Sequence, residues 1–278
     1  VEASSDEKEK NAEYIAIYNI FKKFLDDYGD MESREDLLEE MMSLRAEFAM
    51  NHAINGFNMD FEEAMALIRN TNTGLTQLQQ EQRSILLAAL DNLVDFAVAE
   101  EYQMAKQLPE DYDEDDPDDL EEFEKTFDRY NDIYAEVENG DIEHAMGIAA
   151  GWALISRDTV LTYMTQGDNH VRPWHMALEG TSYPKNEFPA WLIPPIEHGC
   201  RCFLVEESGS VLNSSNSIAN VVAEKENIPD FVNPVFRDSV CKGGRIFGAA
   251  HSYFQVDKKD IKHLRDVAKK IKDKWLGE

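Results

Sequence analysis

Apolar residues recur at helical spacing through residues 1–107, a stretch with no proline. Tyr14, Ile15, Ile17, Tyr18, Ile20, Phe21 and Phe24 fall on one broad helical face, and Gly29 follows where a helix would end. Leu37, Leu38, Met41, Met42, Leu44, Phe48 and Ala49 predict a second helix that stops near Gly56. Phe61 to Ile68 predicts a short third helix. Leu75 to Leu108 predicts a long fourth, with Leu86, Leu87, Leu90, Leu93, Val94, Phe96 and Ala97 turned inward. Short polar connections between these segments predict antiparallel packing, so residues 1–107 are expected to form a helical module.

The pattern then changes. Glu110 to Glu124 reads EDYDEDDPDDLEEFE and holds eleven acidic residues, which predicts a solvated, self-repelling linker over 108–119. A calcium loop would need alternating ligands, a glycine at the sixth position and a closing glutamate, and that pattern is absent. A docking strip for a basic partner is the remaining alternative. Phe123 to Val137 and Ile142 to Leu154 read as two further helices parted at Gly140. After Thr159, proline, glycine, aromatic and β-branched residues become dense. Cys202-Phe203-Leu204-Val205 predicts a short strand, and Ser208 to Ser217 a loop. The last helix carries eight Lys or Arg around an apolar stripe of Ile261, Leu264, Val267, Ala268, Ile271 and Trp275. The expected fold class is α+β: a helical N-terminal module followed by a mixed C-terminal module, 120–278, with a small sheet.

Composition narrows the function. The chain has 278 residues, 43% of them apolar and 10% aromatic, enough for a packed core in one large domain or two ordinary ones. A net charge of −28 argues against a generic nucleic-acid coat. No apolar run reaches the length of a membrane span. The opening VEASSDEKEK lacks the pattern of a signal peptide, and its missing Met fits a processed product or a chain boundary equally. Cys200, Cys202 and Cys241 are too few and too uneven for a disulfide framework, so a reducing compartment is the default expectation.

The densest chemistry lies between Leu161 and Val205. Asp168 and Arg172 are opposite charges four residues apart, and His175 follows. Gly180 permits a tight turn, while Pro189, Pro194 and Pro195 stiffen the path toward Cys200-Arg201-Cys202. Trp174 and Trp191 supply apolar surface where regular structure is sparse. A C-x-C pair on a strand points both thiols to one face, so one can pack on His175. Three chemical readings follow. His175, His198, Cys200 and Cys202 are zinc-type donors, although no second cysteine pair accompanies them. A Cys–His pair could form a nucleophilic thiolate. Alternatively, His175 hydrogen-bonds Asp168 or the backbone, and Asp168, Arg172 and Arg201 form a buried ionic network that holds a loop-rich core. Gly243-Gly244-Arg245 reads as a turn, and no phosphate-binding loop is present.

The order of these residues is itself distinctive. Asp168, Val171-Arg172-Pro173, His175, Ala177-Leu178, Gly180, Tyr183-Pro184, Trp191, Pro194-Pro195 and Cys200-Arg201-Cys202 together resemble the phage Mu F-like minor head protein, or head morphogenesis, family. The segments NPVF near Asn233 and FGAAHSYF near His251 resemble its trailing part. Many relatives carry a Thr-Glu motif upstream of the Asp. Here the nearest counterpart is Arg157-Asp158-Thr159. The resemblance implies a virion or prohead protein that acts in the capsid interior and in the bacterial cytoplasm during assembly. Its implied partners are the portal and other capsid proteins, with self-association as a further expectation, while the missing apolar span and the net charge argue against membrane and direct nucleic-acid contact. The residues themselves predict a structural cluster of Asp168, Arg172, His175, Gly180, Pro195, Cys200, Arg201 and Cys202, with no complete catalytic set and no cofactor unless the zinc reading holds. The competing classes are a toxin-like enzyme module directed at nucleotides or RNA, and a binding module stabilised by zinc.

Overall fold

A computed structural model describes residues 5–70, 74–109, 112–113, 116–207 and 228–278, with side chains from residue 12 onward. Its helices are α1 (Ser5–Asp26), α2 (Met31–Gly56), α3 (Phe61–Ile68), α4 (Gln77–Gln107), α5 (Pro117–Asp128), α6 (Ala135–Leu154), α7 (Pro173–Leu178) and α8 (Ile261–Leu276). A π-helical turn, Arg129–Tyr134, joins α5 to α6. Three strands, β1 (Val160–Met164), β2 (Ser182–Pro184) and β3 (Phe203–Glu206), form one antiparallel sheet in the order β2-β1-β3. The fold is α+β with a helical N-terminal part. No helix among the described residues is long and apolar enough to cross a membrane. The expected loop at Ser208 to Ser217 lies outside the described residues.

Local chemistry explains where the helices begin. Asp60 caps α3 by accepting from the backbone N–H groups of Glu62 and Glu63. Asp116 does the same for α5, accepting from the N–H of Asp118 at 2.9 Å, with Pro117 in the first helical turn. Helix α5 therefore starts inside the stretch expected to be a linker. Its early Asp118 and Asp119 sit where a helix N-terminus favours negative charge, and its Phe123 and Phe127 are buried. Gly140 does not break the chain either. It lies within α6, because the flanking Ile142, Ala145, Met146 and Ala149 are buried. Their packing outweighs the roughly 1 kcal/mol that a mid-helix glycine costs relative to alanine.

The chain forms two compact units that interleave in sequence. One contains Val1–His52, Leu90–Asn139 and Ser252–Glu278, and the other Ala53–Ala89 and Gly140–His251. The division expected at 108–119 does not separate them, because α2, α4 and α6 each contribute residues to both.

In the first unit, Phe21 stacks on Phe127 with ring centroids 4.5 Å apart, and Tyr14 and Tyr18 meet Phe127 edge-on. Helix α8 buries Leu264, Val267, Ala268, Ile271 and Trp275, as its stripe predicts. Its basic face meets acidic neighbours: Lys272 lies 2.6 Å from Asp91 and 2.7 Å from Asp95, and Lys270 lies 3.1 Å from Glu39.

In the second unit, β1 is the central strand, with Leu161 opposite Tyr183 and Tyr163 opposite Leu204. Phe188, Trp191, Leu192, Ile193 and Ile196 are buried in the loop-rich segment that follows β2, where the Pro194–Pro195 peptide is cis. The end of α2 lies close to α6 in this unit: a Cβ on Gly56 would stand 2.5 Å from the Glu143 carbonyl oxygen. Gly243-Gly244 does form a turn, with Gly243 in the left-handed conformation.

Candidate functional site

The site is assembled on a short helix and an extended segment. Arg172 precedes α7 in an extended conformation and Pro173 opens the helix, which directs His175 inward until its side chain is 2% exposed. Gly180 (φ 81°) turns the chain after α7, and its N–H donates to the Tyr163 carbonyl at 2.9 Å. Gly199 (φ 66°) makes a second turn before Cys200. Alternation along Cys200-Arg201-Cys202 then places both thiols on the buried side.

His175 stands between the thiols and a carboxylate. Its Nδ1 lies 3.3 Å from Cys202 Sγ and 3.9 Å from Cys200 Sγ. Its Nε2 lies 3.3 Å from Glu197 Oε2, which also pairs with Arg172 Nε at 3.1 Å. Arg172 donates a further bond to the His198 carbonyl at 2.9 Å. His144 on α6 donates from Nε2 to the Cys202 carbonyl at 2.8 Å, and burial lowers its pKa and favours the neutral ring. The Tyr163 hydroxyl is buried beside Cys202, one diagonal across the sheet, and has no conventional hydrogen-bond partner among the described residues.

The two thiols share their chemistry unequally. A hydrogen bond from Cys200, helped by Tyr163, draws the Cys202 thiol down to about 7 against the opposing effect of burial. Its hydrogen bond to Cys202, and then burial, push Cys200 well above the ordinary range. Of the two, Cys202 is the thiol whose surroundings favour ionisation. Both thiols and the imidazole are nonetheless enclosed, at 3%, 2% and 2% exposure for Cys200, Cys202 and His175.

Of the residues expected to cluster, Arg172, His175, Cys200 and Cys202 come together. Gly180 supplies a turn, and Pro195 lies buried in the same segment. Asp168 and Arg201 do not join them. They pair with each other at 2.8 Å, with side chains 37% and 53% exposed, so the expected buried ionic network is absent. The alternation that sends the thiols inward sends Arg201 outward, and Asp168 follows it while capping the N–H of His170. His198 is also outside the thiol cluster. Its Nδ1 lies 2.9 Å from Asp141 Oδ2, and its ring packs against Phe236 and Phe247. His251, in the trailing segment, lies beside that ring, and burial together with His198 lowers its pKa to about 4.

Sequence reading missed Glu197, Tyr163 and His144. The signal for Glu197 was a single carboxylate in the apolar run WLIPPIEHGC, where a buried neighbour would need it. Nothing in the sequence joins His144, on a distant helix, to Cys202.

A second buried polar cluster occupies the first unit. Arg45 on α2 makes a two-pronged bond to Glu100 on α4, at 2.9 and 2.8 Å. Glu138 on α6 lies 3.8 Å from the same guanidinium, and Glu101 is wholly buried with neither carboxylate oxygen hydrogen-bonded among the described residues. Burial, and then the charge of Glu100, push the Glu101 pKa up to about 8 and raise that of Glu138 well above its ordinary value.

Compared with models of known protein families, with curated proteins and with solved structures, the chain matches none.

Proposed function

We propose that this chain is a phage minor head protein that acts in head morphogenesis, bound to the portal and facing the capsid interior. The supporting observation is the burial of His175, Cys200 and Cys202, residues that carry the resemblance. Enclosed at 2–3% exposure, they suit the holding together of a loop-rich core better than the meeting of a substrate. The net charge of −28 fits a particle interior where nonspecific sticking to packaged DNA would be harmful, and it favours partner surfaces of basic character.

Co-expression with a phage portal protein and its capsid protein tests this reading. The chain is expected to co-purify with the portal and to be present in purified proheads. Portal and proheads that assemble without it would overturn the proposal.

The runner-up is a toxin-like enzyme module. It is favoured by the Cys202 thiol, drawn down to about 7 and lying 3.3 Å from His175. Incubation with labelled NAD or RNA separates the two. Turnover that vanishes in a folded Cys202→Ser protein would replace the assembly reading with the enzymatic one.

A further inference from the structure

Three soft or borderline donors converge in the second unit: His175 Nδ1, Cys200 Sγ and Cys202 Sγ, all within 4.8 Å of one another. Two thiolates and an imidazole are the ligand class of Zn²⁺. The spacing also suits the ion. With Zn–S near 2.3 Å and Zn–N near 2.0–2.1 Å, a tetrahedron has an N···S edge of about 3.6 Å. The two observed N···S separations, 3.3 and 3.9 Å, bracket that edge.

The surroundings are those of a metal ligand set. A metal-bound histidine typically gives its other ring N–H to a carboxylate, and His175 Nε2 faces Glu197, which Arg172 fixes in turn. The His144 bond to the Cys202 carbonyl fixes the backbone of one thiol ligand. Tyr163 supplies an independent sign. Its hydroxyl is fully buried beside Cys202 and lacks a conventional partner among the described residues, yet a metal-bound thiolate accepts such an O–H. The charges also close: two thiolates offset the dication, and Arg172 offsets Glu197.

We propose that His175, Cys200 and Cys202 bind one Zn²⁺ ion, with water at the fourth corner of the tetrahedron. Coordination releases the thiol protons to solvent. The ion ties α7 to the segment leading into β3, in a region with few regular hydrogen bonds. This inference does not depend on the head-assembly reading.

Cobalt titration of the full chain, prepared with reduced thiols and stripped by chelator, provides the test. One equivalent of Co²⁺ is expected to give thiolate-to-cobalt charge-transfer absorption with tetrahedral ligand-field bands, and Zn²⁺ should displace both. Cys200→Ser and Cys202→Ser should lose charge-transfer intensity, while Cys241→Ser should keep all of it. Glu197→Gln should retain the stoichiometry and bind 10–100-fold more weakly. Where a Cys200 or Cys202 variant fails to fold, Glu197→Gln and Cys241→Ser decide. A folded wild-type chain that shows no such bands overturns the site. So does Co²⁺ affinity unchanged by Glu197→Gln, or a spectrum that follows Cys241.

Discussion

The two units each bury a polar cluster, but by opposite means. In the first, Arg45, Glu100, Glu101 and Glu138 come from three long helices whose registers fix every side chain, and three carboxyl groups share one cation. In the second, His175, Cys200 and Cys202 are placed by turns, a six-residue helix and proline-stiffened loops, and Glu197 and Arg172 complete the arrangement. Helices position polar groups by repetition, so such a cluster can hold surplus carboxyl groups by keeping them protonated. A loop-built cluster has little backbone regularity behind it and depends on each contact being satisfied.

The sharpest way to break this contrast is to remove the single cation of the first cluster. Arg45→Met leaves buried carboxylates uncompensated and should cost about 3–5 kcal/mol in equilibrium denaturation. A loss below about 1 kcal/mol would mean that the glutamates are already neutral without it.

The next effect is on pH. The folded pKa of Glu101, about 8, lies above its ordinary 4.5, so the folded state binds the extra proton between those values. Its contribution to stability is fully present below pH 4.5 and is lost as pH rises toward 8, by about 1.4 kcal/mol per pH unit. Glu101→Gln should flatten that slope in urea melts taken across the range. The second unit should run the other way. His251 has its pKa lowered to about 4, so its contribution is present above the ordinary 6.5 and is lost as pH falls toward 4. His251→Gln should remove that acid sensitivity and leave the alkaline slope unchanged.

A smaller effect concerns the close helix contact of the second unit. Gly56→Ala forces a methyl onto the Glu143 carbonyl and should destabilise by about 1–3 kcal/mol in thermal or urea unfolding. Smallest of all is Asp168→Ala. Its partner Arg201 is exposed, so the melting temperature should stay where it was. A clear drop would restore the buried network that the resembling motif suggests.

What was legible in the sequence follows the same divide. Periodicity located α3 at Phe61–Ile68 and nearly all of α4, because apolar spacing reports which face of a helix packs. It gave no hint of the Arg45 cluster, since a charged residue at an inward position reads like a solvated one until its partner on another helix is known. Gly140 reads as a break because local propensity disfavours it, and only the packing around it keeps α6 continuous. In the second unit β1 and β2 went unread, being short and without clean alternation, whereas the run after Cys202 foretold β3. His175, Cys200 and Cys202 were legible as a group through their order in the chain. The outward course of Arg201 follows from strand alternation. The capture of His198 by Asp141 does not, because it depends on where α6 lies.

The central claim is that His175 and the two cysteines hold the loop-rich core of the second unit. Native-state amide hydrogen exchange on His175→Ala tests it most directly, because exchange reports stability segment by segment. Loss of this buried partner should cost about 1–3 kcal/mol. Exchange should accelerate in β1, α7 and β3, while α1, α5 and α8 keep their protection. Unchanged protection across β1, α7 and β3 in the folded variant would contradict the account.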